Sequence, residues 1–268
     1  MPTLSLSSPD DSIAVQVDYV AGGRLSSFAV HGHELLASRV DDPIGWGCYP
    51  MVPFAGRVRN GQINQLLPTQ RLPTLLPPNA GPHAIHGYGY ASPWEIVGDQ
   101  ASNQRCELRF DFAEPWPWRG SATQRFALTN KSLTITMHIH ATDEQPMQLG
   151  WHPWFQRDIG NGHSAELDFS PTAMFERDPS GIPTGRRITP PDGPWDDCFT
   201  GLETNPVIRW GDLHLELSAT ATEWTVYDEP EHTLCVEPQT GPPNQINDAP
   251  RMIKAGQSMI ENFTLTVR

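Results

Sequence analysis

Residues 149–155 read "LGWHPWF" and set His152 between two tryptophans, beside a prolyl bond. An imidazole in so apolar a setting either has its ring nitrogens bonded and serves the core, or works as an acid or base with a displaced pKa. Four other segments carry side chains able to join it. "PFAGRVRNGQI" (residues 53–63) holds Arg57 and Arg59 between a proline and a glycine. "HAIHGYGY" (83–90) places His83 and His86 three apart, with glycines behind them that let a backbone approach a ligand closely. "PWDDCFTG" (194–201) has Asp196 and Asp197 among aromatics, and "VEPQTGPPNQIN" (236–247) presents Glu237 at the end of a short apolar run. Carboxylates and imidazoles exchange protons near neutral pH, so the set contains the ingredients of general acid–base chemistry. Each segment also has a plain structural role: solvated arginines, a glycine turn, aspartates that cap a turn.

The elements that position these loops are strands. Ile13, Val15, Val17 and Tyr19 alternate with polar residues, as do Leu108, Phe110 and Phe112, and Leu133, Ile135, Met137 and Ile139. The same period of two recurs at Leu213, Leu215 and Leu217, at Trp224 and Val226, and at Phe263, Leu265 and Val267. That is the signature of half-buried strands, and no segment carries a helical period. Proline occurs 27 times, about double its usual share. Stretches such as "PTLLPPNAGP" and "ITPPDGPWDD" therefore read as loops between strands. The expectation is an all-β chain forming one large antiparallel β-sandwich domain over residues 1–268.

Composition narrows the partners. With 31 acidic against 18 basic residues the formal charge is −13, which repels nucleic acid and anionic membrane surfaces. The start of the chain, "MPTLSLSSPDDSIAV", has no basic or long apolar stretch, and no apolar run of about 18 residues occurs. A soluble, cytoplasmic protein is expected. Cys48, Cys106, Cys198 and Cys235 are scattered without a C-x-x-C spacing, so they read as free thiols rather than a zinc knot or redox pair.

Taken in order, P-F-A-x-R, H-G, G-x-H-P followed by an aromatic and Phe, D-x-x-F and E-P-x-T make the chain resemble the aldose 1-epimerase (mutarotase) family. The resemblance runs from Pro53 to Asn247, with strands at both ends. It implies a supersandwich, galactose mutarotase-like, and a cofactor-free, metal-free isomerisation of a small sugar by a monomer or homodimer. Anomer exchange needs a base for the anomeric hydroxyl and an acid for the ring oxygen, each worth ~10²–10⁴-fold when well placed. By that resemblance Glu237 is the base, His152 the acid and His86 a helper near the ring oxygen. Arg57 and Asp196 would hydrogen-bond sugar hydroxyls, with Asp197 an alternative to Asp196. Trp151, Trp154 and Phe155 would wall the site. Two positions depart from the family's common pattern: Tyr88 follows "HG" where glycine is common, and Gly56 precedes the arginine where asparagine is frequent.

Three other readings compete. A hexose 6-phosphate is an alternative substrate if Arg57 or Arg59 meets a phosphate. A non-catalytic sugar-binding module would use the aromatics alone. His138 and His140, two apart on one strand with Glu144 beyond, sketch a cupin-like metal motif, although a polar strand face accounts for them as well.

Overall fold

The computed structural model describes residues 2–64, 74–75, 77–98 and 102–268. The chain is nearly all β, with two large antiparallel sheets. The larger runs from Thr3–Ser7 at one edge through Ile13–Asp18, Arg24–Val30 and Cys48–Met51. It continues through Gly150–Gln156, Thr233–Gln239, Glu223–Tyr227 and Asp196–Leu202 to Pro171–Arg177 and Pro183–Ile188. The smaller is built around Gly120–Leu128, Ser132–Ala141, Ser258–Val267 and Leu213–Ala219.

One apolar core cluster joins the two sheets, because each strand turns alternate residues inward. Val15, Trp151, Trp224 and Val236 from the larger sheet meet Ile135, Met137, Leu217 and Phe263 from the smaller. The Trp151 and Phe263 rings lie 5.8 Å apart, and the Trp151 indole donates to Gln124 Oε1 at 2.9 Å. Among the described residues helix is confined to short pieces, with one α-helical turn at Gln245–Asp248.

Single prolines also occur inside strands. Pro50, Pro153 and Pro238 sit inside three adjacent central strands of the larger sheet. A proline has no N–H to give, so it removes a bond on one side of its strand while the other side can stay paired; Cys48–Met51 and Gly150–Gln156 pair without a gap through Pro50 and Pro153. Pairing between Gly150–Gln156 and Thr233–Gln239 joins Gly150 to Gln239 and resumes at Trp154 with Cys235, skipping Trp151–Pro153. The Pro-rich loops also need trimming. Thr74–Leu75 pairs with Gln62–Ile63, and Ile188, Asp196 and Asp197 lie in strands. Pro73 and Leu76 lie outside the described residues. Proline restricts itself and the residue before it, and residues further away still join a ladder.

Candidate active site

The strand alternation that fills the core also selects the site. On Gly150–Gln156, Trp151 and Phe155 point into the core while His152 and Trp154 take the other face. On Thr233–Gln239, Leu234 and Val236 are core, and Glu237 and Gln239 line the opposite cleft. The register joining Gly150 to Gln239 and Trp154 to Cys235 sets His152 across from Glu237. Thr225 pairs with Glu237 and Asp196 with Tyr227 on the next strands. Two loops close over this face. Arg57 arrives on a two-residue strand that pairs Arg57 with Ile85, and His86 follows Ile85 directly.

Arg57, His86, His152, Asp196 and Glu237 therefore border one cleft of about 310 Å³, within the size range of small-molecule sites. His152 Nε2 lies 3.2 Å from Glu237 Oε1, and both side chains are almost wholly buried. The His152 ring is nearly parallel to Tyr49 at 4.8 Å and to Trp154 at 5.2 Å, and His86 meets it edge-on at 4.9 Å. Trp154 itself is pinned by donation to the Ile44 carbonyl at 2.6 Å. The expected aromatic wall is thus only partly right. Trp151 and Phe155 are fully buried in the core, because Trp154 lies an odd number of positions from each of them along the strand and so takes the opposite face. Of the three, Trp154 borders the cleft, and the buried Tyr49 ring backs His152 from beneath.

His86 adopts a left-handed backbone (φ 63°), a conformation uncommon outside glycine, and Gly87 follows at φ 69°. A Cβ on Gly87 would lie 2.0 Å from the Val52 carbonyl oxygen, which explains the glycine after this histidine. His83, three residues earlier, does not join the site: its Nδ1 accepts the Asn60 N–H at 3.0 Å. Asp196 and Asp197 also part company. Asp196 borders the cleft and takes Arg57 at 3.4 Å and Arg177 at 3.1 Å, whereas Asp197 is tied to Arg177 Nε at 2.8 Å. Arg59 turns to Asp178 at 2.8 Å. His138 lies on the outer face of the smaller sheet opposite Ile260, and His140 approaches Ser258 Oγ at 3.4 Å, with Glu144 exposed. These three take no part in the cleft.

Burial displaces the titrating groups in opposite directions. It drives the Glu237 carboxyl well above the usual carboxylate range, with the Asp196 charge adding to the effect and Arg57 opposing it. Burial pushes His152 down to about 3, and the Arg24 charge adds to this. His86 is held well below the ordinary imidazole range by burial, then by His152 and Arg57. The displaced pKa expected of a working imidazole in an apolar setting is thus downward at His152, because low-dielectric surroundings favour the neutral ring.

Motifs gave no hint of Arg24, which is about 1 % exposed. Its guanidinium donates to the carbonyls of Ala21, Pro43, Trp46 and Tyr90 and lies 4.0 Å over the Trp46 ring and 5.2 Å over Tyr49. It fastens the loop that carries Ile44 and backs the ring stacked on His152. Arg24→Met keeps the bulk and strips the carbonyls of their donor. A loss of about 2–5 kcal/mol in unfolding free energy is expected, read from the denaturant midpoint.

The family model for aldose 1-epimerase matches residues 10–262. The chain belongs to the aldose 1-epimerase family. Within this family of folds, a galactose mutarotase-like protein from Clostridium acetobutylicum superposes with a TM-score of 0.84 at 16 % identity, over 96 % of this chain and 93 % of that one. The GalM/aldose epimerase homologue from C. elegans gives 0.82 at 15 % identity, over 100 % and 98 %. The Escherichia coli (strain K12) protein YphB is 30 % identical over 112 residues, which span 40 % of this chain and 36 % of that protein. The aldose 1-epimerase fold thus has the galactose mutarotase-like architecture. Among the described residues no helix is long and apolar enough to cross a membrane.

Proposed function

We propose that the chain is an aldose 1-epimerase that interconverts the α and β anomers of a neutral hexose, with no cofactor and no metal. The observation that carries this reading is the 3.2 Å approach of His152 Nε2 to Glu237 Oε1 at a cleft of sugar-binding size. The two groups share one proton. When it resides on His152, Glu237 takes the anomeric O1 proton and His152 gives its Nε2 proton to the ring oxygen. The bond from C1 to the ring oxygen breaks, C1=O1 forms, and rotation about C1–C2 exposes the other face of the aldehyde. Reclosure returns both protons.

The pKa displacements assist that step. A carboxyl with a raised pKa is a stronger base, and an imidazole with a lowered one a stronger acid, so both favour ring opening. Ring opening also leaves a neutral acid and a neutral imidazole, the pair that a buried site favours. His86 stands beside His152 as a neutral hydrogen-bonding partner for the ring oxygen. Arg57 and Asp196 would hold hydroxyls, and Trp154 would face the sugar's C–H surface.

A neutral sugar is favoured over a 6-phosphate by the charges at the cleft. Asp42, Asp196, Glu229 and Glu237 border it, while Arg57 stands 3.4 Å from Asp196 and Arg59 is engaged with Asp178. Magnetisation-exchange NMR at anomeric equilibrium tests this: D-glucose or D-galactose anomers should exchange faster with the protein present than their 6-phosphates. Faster exchange of a 6-phosphate overturns the neutral-sugar assignment. Arg57→Ala should lower kcat/KM about 10–100-fold, with KM raised at least as much as kcat falls, as expected for a residue that holds the sugar. Steady-state rates over a sugar series check it.

A further inference from the structure

One buried group beside the cleft is unused by the proposed reaction. Cys235 precedes Glu237 by two on the same strand and shares its face, across from Trp154. Its thiol, a Glu237 oxygen and a His152 ring nitrogen all lie within 4.8 Å of one another, and all three residues are buried. Donors bound tetrahedrally at 2.0–2.3 Å stand roughly 3.3–3.8 Å apart. The 3.2 Å His152–Glu237 separation is already close to that edge, and a side-chain rotation of about 1 Å brings the thiol within reach.

We propose that Cys235, Glu237 and His152 form a capture site for a borderline-soft divalent cation, Zn²⁺ being the best match, reached through the sugar cleft and incompatible with anomer exchange. The donor set argues for this class of ion. One sulfur, one nitrogen and one oxygen suit zinc-like ions and not Mg²⁺ or Ca²⁺, which demand oxygen shells. Three protein ligands leave a fourth position open toward the cleft. Charge also balances. Binding releases the thiol proton and the proton shared by Glu237 and His152, so a dication meets one thiolate, one carboxylate and a neutral imidazole. The assembly is neutral, the cheapest state for a buried site. The other cysteines are differently placed: Cys198 accepts a hydrogen bond from Gln239 Nε2 at 3.3 Å, and Cys48 and Cys106 belong to the core.

The inhibitory consequence rests on the proposed epimerase activity, but the site itself has an independent readout. Co²⁺ titrated into the whole protein should give tetrahedral visible bands and a near-ultraviolet thiolate-to-metal transition, both displaced by Zn²⁺. Cys235→Ser should abolish the thiolate transition and Cys198→Ser should keep it. Zn²⁺ should inhibit anomer exchange competitively with sugar, and Cys235→Ser should weaken the inhibition by about tenfold or more at a basal rate near wild type. If Cys235→Ser does not fold, Cys235→Ala serves, with His152→Asn expected to lose the tetrahedral bands. A wild-type spectrum without a thiolate transition, or one unchanged in the cysteine variant, overturns the site. Should the wild type prove inactive on sugars, the cobalt spectrum still decides it.

Discussion

Glu237→Gln is expected to lower turnover ~10²–10⁴-fold while leaving sugar affinity within a few-fold of wild type. The amide matches the carboxyl in shape and keeps a hydrogen-bonding group 3.2 Å from His152 Nε2, but it cannot take the anomeric proton. The folded state should not suffer, because glutamine removes a carboxyl that burial already disfavours in its charged form. Equal or higher thermal stability with lost turnover would separate chemistry from folding. Initial rates on a pure anomer, corrected for buffer catalysis, give the turnover, and calorimetric titration gives the affinity. Retention of more than about a tenth of the wild-type rate, outside the range for losing a positioned base, would move the base to Asp196, another carboxylate at the cleft.

His152→Asn should lose a comparable factor, and the double variant with Glu237→Gln should lose less than the product of the two, since acid and base act in one ring opening. The pH dependence gives this prediction its sign. The active free protein holds one proton on the Glu237–His152 pair. A second proton is added only as pH falls toward the depressed His152 value of about 3, so kcat/KM should stay level through the acid range where an ordinary imidazole titrates. The shared proton is lost on the alkaline side, through a transition lifted above the ordinary carboxylate range by the burial of Glu237. In His152→Asn the remaining proton belongs to Glu237 and blocks the base. Residual activity should then rise with pH through the transition at which wild-type activity falls. A profile for the variant that parallels wild type would contradict the pairing.

The strands and much of the site were legible because both follow from alternation. Ile13, Val15 and Val17, and Leu133, Ile135, Met137 and Ile139, are buried as their spacing demands. The five loop and strand-end residues singled out by motif share one cleft, although Arg57 and Glu237 are far apart in the chain. What escaped were features that need register. Trp151 and Phe155 look like site aromatics until the strand's phase sends them to the core. "CYPM" is buried throughout, so no periodicity distinguishes Tyr49 as the ring beneath His152. Asp196 and Asp197 are neighbours with equal chemistry, and only the pairing of Asp196 with Tyr227 separates them. Arg24 follows two glycines like any surface arginine, and its role depends on four carbonyls brought together by folding. The prolines of the central strands are accommodated because the pairing of Gly150–Gln156 with Thr233–Gln239 is interrupted beside His152 and Glu237.

The measurement closest to the central claim is the optical rotation of freshly dissolved α-D-glucose or α-D-galactose after a catalytic amount of the protein is added. The rotation should approach the same final value as in buffer, at an initial rate that rises in proportion to protein concentration and returns nearly to the buffer rate with Glu237→Gln. Saturable sugar binding by a correctly folded protein, with no change in that rate for either sugar, would contradict the claim and leave a sugar-binding module in its place.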